Sequence, residues 1–340
     1  MIELSHWFFL STMALSPVLV FLGALVYFDS FKVVRARAIV IAAAAGMLAA
    51  FAGYWINGFV LDHVDIGYVP YSRWVSPWLE ESLKAALIVY LIRTRRVGML
   101  VDAAIYGFAV GTGFALFENL YFLMMRPETH PAVQVIRGFG TAIMHGGATA
   151  VFSIVAVSQA ERFPDKWVRV FLPGLVAAVI LHGVYNTLLV RPVFATLGVL
   201  MLLPPLIYFA FERSESTLRE WLESDLDSDV QLIETINSGE FEDSHAGRYL
   251  QSLQDKFDGP VVADMLCYLR LHCELALRAK GVLMLRESGF GEPPLDDEVK
   301  AQIQELHYLE RSLGKSGELA LRPIVLATGK DLWQLQWLEH

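Results

Sequence analysis

The feature that most limits this chain is a series of apolar runs long enough to cross a bilayer. In hydrocarbon a backbone amide finds no water, so a run of about 20 apolar residues reads as a spanning helix bonded within itself. Seven segments qualify: 8–28, 38–60, 74–92, 101–124, 137–158, 168–190 and 193–211. The expected fold is all-α: a polytopic bundle of about seven transmembrane helices over residues 1–211, then a soluble helical domain over 212–340. Pro204-Pro205 predicts a kink in the seventh span. The first run lacks a basic n-region and a small-residue cleavage site, so it reads as a retained helix rather than a cleaved signal.

Charge divides the chain at the same place. Residues 1–211 carry a net +3 and residues 212–340 a net −12. An acidic soluble part argues against nucleic acid as a partner and leaves a cytoplasmic protein partner open. The two cysteines, Cys267 and Cys273, both lie there; they make no disulfide framework and suit a reducing compartment. Lys and Arg in the short loops fix the orientation. Lys32, Arg35, Arg37, Arg93, Arg95, Arg96, Arg162, Lys166 and Arg169 fall on one side. Arg73, Arg126, Arg137 and Arg191 fall on the other. The expectation is a multi-pass protein of the cell (inner, cytoplasmic) membrane, N-terminus outside and acidic domain in the cytoplasm.

The spans carry polar residues that need a reason. An ionised group at the centre of a membrane helix costs roughly 2.5–3.5 kcal/mol on insertion scales. The third span holds Glu80, Glu81 and Lys84; the fourth holds Glu118; the fifth holds His145; the sixth holds His182 and Asn186. At a rise of 1.5 Å per residue, Glu80 and Glu81 lie roughly 10 Å below the outer surface, Glu118 roughly 9 Å, and His145 and His182 roughly 12 Å. Two of these helices run inward and two outward, yet their polar groups share one depth. One cluster accounts for that. Lys84 is spaced to pair with either Glu80 or Glu81, and Glu80 is the one expected to serve mainly to hold it. Glu118 has no basic residue one turn away, so it needs a partner from another helix. Asn186, one turn after His182, is placed to orient a ligand or donate to an oxyanion. Gly107 and Gly111, with small residues on the fifth and sixth spans, permit close helix approach.

"EESLK", "YGFAVGTGFALFENLYF", "HGGATA" and "HGVYN", in that order on successive helices over residues 74–190, closely resemble the PrsW family of intramembrane proteases, which is related to the CAAX-prenyl endopeptidases of the ABI type. The resemblance implies a multi-pass peptidase that cuts a membrane-anchored protein on its extracytoplasmic side, as in the first cleavage of an anti-sigma factor. The matching positions are Glu80, Glu81, Glu118, His145, His182 and Asn186. Two chemistries are open. In the first, Glu118, His145 and His182 hold one divalent ion, zinc by ligand type, and Glu80 or Glu81 is the base. In the second there is no metal: a glutamate activates water and a histidine stabilises the oxyanion. Buried acids and histidines also mark proton-coupled transporters, and a long acidic tail suits a signalling receptor. The inner halves of the spans lack the matching polar path that a transporter needs.

Residues 212–340 read as a helical bundle. "STLREWLESDLDSDVQLIETI" opens with capping residues, and Asp296 is a candidate cap for a helix that places Val299, Ile303, Leu306 and Leu313 on one stripe. His272, Cys267 and Cys273 lack metal-site spacing and read as core residues.

Overall fold

Among the described residues every regular element is helical, which is what apolar runs of this length require. The structure is a computed structural model that describes residues 2–29, 34–163, 166–187, 189, 191–288, 297–321 and 324. The chain forms two compact units, Met1–Ser214 and Glu215–His340.

The first unit is built from α1 (Ile2–Phe28), α2 (Ala36–His63), α3 (Ser76–Arg93), α4 (Leu100–Met125), α5 (Ala142–Arg162), α6 (Trp167–Thr187) and the first half of α7 (Pro192–Asn237). A π-helical turn, Tyr71–Val75, leads into α3; a second, Arg137–Thr141, joins the short helix Pro131–Ile136 to α5. Among the described residues six helical segments are long and apolar enough to cross a membrane: Trp7–Phe28, Ala36–His63, Leu100–Met125, Pro131–Ala160, Trp167–Thr187 and Pro192–Ser214. The expected third span is not among these six. It does form a helix, but Glu80, Glu81, Lys84 and Arg93 within its 18 residues keep α3 outside that set.

Enclosed α4 and α5 form the centre, and the other four spanning segments turn most of their apolar surface outward. Glycine decides how closely α4 is wrapped. A Cβ at Gly46 would overlap the carbonyl oxygen of Val110, and one at Gly113 would overlap that of Ala43, so α2 and α4 touch backbone to backbone. On its other side α4 turns Gly107 and Gly111 to the backbone of α5 at Thr149 and His145. Close approach of this kind drives association where lipid removes the hydrophobic gradient.

α7 runs unbroken through Pro204 and Pro205 to Asn237. The helix start expected at Ser216 is therefore absent. No Gly or Pro falls between 206 and 237 to make the backbone non-helical, and a Ser or Thr caps only where the backbone before it is non-helical. In the second unit, α8 (His245–Ser252) is capped by Ser244 Oγ, which accepts from Gly247 N–H at 2.9 Å. Helices α9 (Gly259–Glu287) and α10 (Asp297–Leu321) pack through Met265, Leu269, Leu275, Val299, Leu306 and Leu313. Asp296 lies outside the described residues.

Candidate active site

Glu81, Lys84, His145 and His182 are all buried, on α3, α5 and α6. Lys84 Nζ donates to Glu81 Oε1 at 2.5 Å and to His145 Nδ1 at 3.1 Å, and sits 4.8 Å from the ring centre of Phe114. His182 Nδ1 donates to the same Glu81 oxygen at 2.7 Å. Glu81 is thus spent on orienting others, and this corrects the expectation that Glu80 holds the lysine.

Glu80 is the freer carboxylate. Its Oε1 accepts from Ser76 Oγ at 2.5 Å and from Asn57 Nδ2 at 3.1 Å. Its Oε2 faces His182 Nε2 at 3.8 Å. Because His182 donates through Nδ1, its neutral ring presents Nε2 as a lone pair. Two acceptor atoms therefore face each other across a gap that suits a cation or a water proton. The His145 and His182 rings stand 4.8 Å apart and perpendicular.

Glu118 is bound by two groups from outside its helix. Oε2 accepts from His145 Nε2 at 2.7 Å, and Oε1 from Arg137 Nη2 at 2.9 Å. Arg137 also donates to Asn119 Oδ1 at 3.1 Å and lies over Phe122, while Asn119 donates to the carbonyl of Ala14 at 2.9 Å. Asn186 Nδ2 donates to the carbonyl of Ser72, at 3.1 Å, inside the π turn that leads into α3. Its NH2 is used to hold backbone.

The expected metal set was Glu118, His145 and His182. The set whose ligand atoms converge, all within 4.8 Å of one another, is Glu80, His145 and His182. Glu118 is drawn off by Arg137. Two histidines and a carboxylate are a donor set that binds zinc with a position left for water, and Glu81 on His182 is the outer-shell carboxylate such sites use. Charge agrees. Three carboxylates, Glu80, Glu81 and Glu118, stand with two fixed cations, Lys84 and Arg137. The donor types and their convergence fit a divalent ion, and His145 would release Lys84 or Glu118 to offer it a lone pair.

Asn57, Ser76 and the pairing of Arg137 with Glu118 and Asn119 go beyond what the sequence leads us to expect. A lone Asn in an apolar run carries no spacing signal, whereas Ser76 stands one turn before Glu80 and that spacing points to it; Arg137 reads equally well as a loop charge.

A helical bundle that gathers two buried histidines, His145 and His182, with Glu80, Glu81 and Glu118 fits the class of polytopic membrane hydrolases that bring water to a peptide bond inside the protein. The sequence profile of the PrsW family of intramembrane metalloproteases matches residues 34–210, just over half of the chain, and the chain belongs to that family. It is a membrane-embedded peptidase of metallo type, and the transporter and receptor readings fall away. No curated protein and no solved structure matches it.

Proposed function

We propose that the protein cuts a membrane-anchored protein near its extracytoplasmic side, in the manner of a first-site cleavage of an anti-sigma-factor-like substrate. The convergence of Glu80, His145 and His182 from three separate helices carries this reading. The loop charges and the common depth of roughly 10 Å support the outer location.

In this reading Glu80, His145 and His182 hold one divalent ion, zinc by ligand type. When bound, that ion polarises the scissile carbonyl and acidifies the attacking water. Glu81 fixes the tautomer and direction of His182, and Lys84 holds the direction of the His145 ring. Glu118, with its side chain 38% exposed, is the carboxylate most open to water. It takes the water proton and returns it to the leaving amine. Asn186 supports the π turn from which α3 and its glutamates emerge. The acidic domain lies in the cytoplasm and meets a protein partner there.

A second reading rests on one observation: both ring nitrogens of His145 already have partners, Lys84 and Glu118. Without metal, Glu80 activates water itself, and the histidines donate to the oxyanion.

The test uses purified protein and a membrane-anchored reporter whose cleavable region lies outside. Glu80→Gln, Glu118→Gln, His145→Ala and His182→Ala are each expected to lower kcat by about 10²–10⁴-fold while the protein still inserts. Wild-type rates in both histidine variants would sink the shared site. Elemental analysis, with activity after chelation and metal return, separates the two chemistries. Labelling of a cysteine at position 95 from the outer side would overturn the orientation.

A further inference from the structure

Glu80 is held by residues that carry no motif. We propose that Asn57 and Tyr71 are positioning residues of the active site: with Ser76 they fix Glu80 so that only its Oε2 faces His182. The inference rests on the reading of Glu80 as the working carboxylate.

The chain of bonds has one sense. Ser76 Oγ donates to Glu80 Oε1 at 2.5 Å, Asn57 Nδ2 donates to the same oxygen at 3.1 Å, and Tyr71 OH donates to Asn57 Oδ1 at 2.6 Å. A carboxylate only accepts, so the Asn57 amide must turn its NH2 toward Glu80. Its oxygen then faces Tyr71, and the phenol must donate. Each group settles the direction of the next, and the order ends at a carboxylate with one oxygen saturated and one left over.

The three partners come from three elements. Asn57 lies on α2, Tyr71 begins the π turn, and Ser76 begins α3. Tyr71 is among the largest fully buried side chains, so its hydroxyl has a fixed origin. Asn57 is only half-buried between exposed neighbours, so its replacement leaves no large cavity. α2 also packs on α4 through Gly46 and on α3 through Gly53, which faces Leu83. The relay makes it part of the positioning machinery: a shift of α2 along α4 would carry Asn57 away from Glu80 and release the carboxylate to rotate. A reactive carboxylate with a free rotor loses the pre-organisation on which rate and metal affinity depend.

The experiment uses full-length protein in detergent and the variants Asn57→Ala, Asn57→Asp, Tyr71→Phe and Glu80→Gln. It measures kcat and KM on the membrane-anchored reporter, Zn²⁺ affinity by competition with a chromophoric chelator, and the thermal midpoint. Asn57→Asp keeps the shape of the residue but replaces the donor with a second carboxylate beside Glu80. It and Asn57→Ala are expected to lower kcat by about 10–100-fold at unchanged KM and to weaken Zn²⁺ by a similar factor. Tyr71→Phe moves both in the same direction by less. Wild-type kcat and Zn²⁺ affinity in Asn57→Asp and Tyr71→Phe would overturn the proposal, and so would a change confined to the thermal midpoint. Should wild-type protein bind no Zn²⁺, the kcat comparison decides alone. Glu80→Gln separates the layers: wild-type cleavage in that variant removes the reading of Glu80 itself, whereas an inactive Glu80→Gln beside fully active Asn57 and Tyr71 variants removes only the relay.

Discussion

Lys84 stands one turn from both Glu80 and Glu81, and only Glu81 takes it. The choice follows from who else is near. Glu80 Oε1 already has Ser76 and Asn57, while Glu81 points with Lys84 toward His182 and His145. A buried pair is costly to break from one side, because the remaining charge is stranded: about 3–5 kcal/mol. Lys84→Met alone should therefore lower the thermal midpoint sharply. The double variant Glu81→Gln with Lys84→Met should recover at least half of the loss, since glutamine still accepts from His182. Cleavage should stay impaired, because His145 has lost its lysine. A double variant no more stable than the single would show that charge stranding is not the cost.

The helix pair α2 and α4 depends on glycine in a way that the fourth span's Gly107 and Gly111 do not reveal. Those two turn to α5, whereas Gly113 meets Ala43 and Gly46 meets Val110 on the opposite side. All are small residues in apolar helices; the partner decides which matter. Gly46→Leu and Gly113→Leu are expected to destabilise the protein by about 1–3 kcal/mol or more, since backbone rather than a flexible side chain is in the way. Gly58→Ala, in the same helix with nothing within 4 Å of the added carbon, should leave the midpoint unchanged or raise it slightly. Equal midpoints for Gly46→Leu and Gly58→Ala would refute the backbone contact.

Each unit of the molecule has its own core, and the acidic unit contains a pH-dependent one. His272 is buried on α9, and burial, then the nearby Lys280, pushes its pKa down from 6.5 to about 4. Above pH 6.5 the ring is neutral folded or unfolded and has no effect. Between 6.5 and 4 the unfolded chain takes up a proton that the folded chain refuses, so stability falls as pH falls, by up to about 3 kcal/mol. Cys267 is exposed rather than in the core as expected, so a fluorophore on it can follow urea unfolding of this unit in the full chain. The midpoint should drop across that window, and His272→Leu should flatten the drop. An equal slope in both proteins would rule His272 out as its cause.

Helix existence, the stripe of Val299, Leu306 and Leu313, and the shared depth of Glu80, Glu118, His145 and His182 were legible from residue order, because burial must repeat with the helical period and depth is a count of residues times the rise. The partners were not. Successive residues on a helix point roughly 100° apart, so Glu80 and Glu81 face different neighbours, and the order of residues does not say which faces whom. Only packing put Asn57 and Ser76 on Glu80, gave Lys84 to Glu81, drew Glu118 to Arg137 and spent Asn186 on the carbonyl of Ser72. Apart from Ser76 and Lys84, which lie one turn from their glutamates, those are contacts between segments up to 114 residues apart. They depend on how far each helix is rotated about its own axis, a quantity fixed by the glycine contacts of α4 with α2 and α5 rather than by any spacing within one helix.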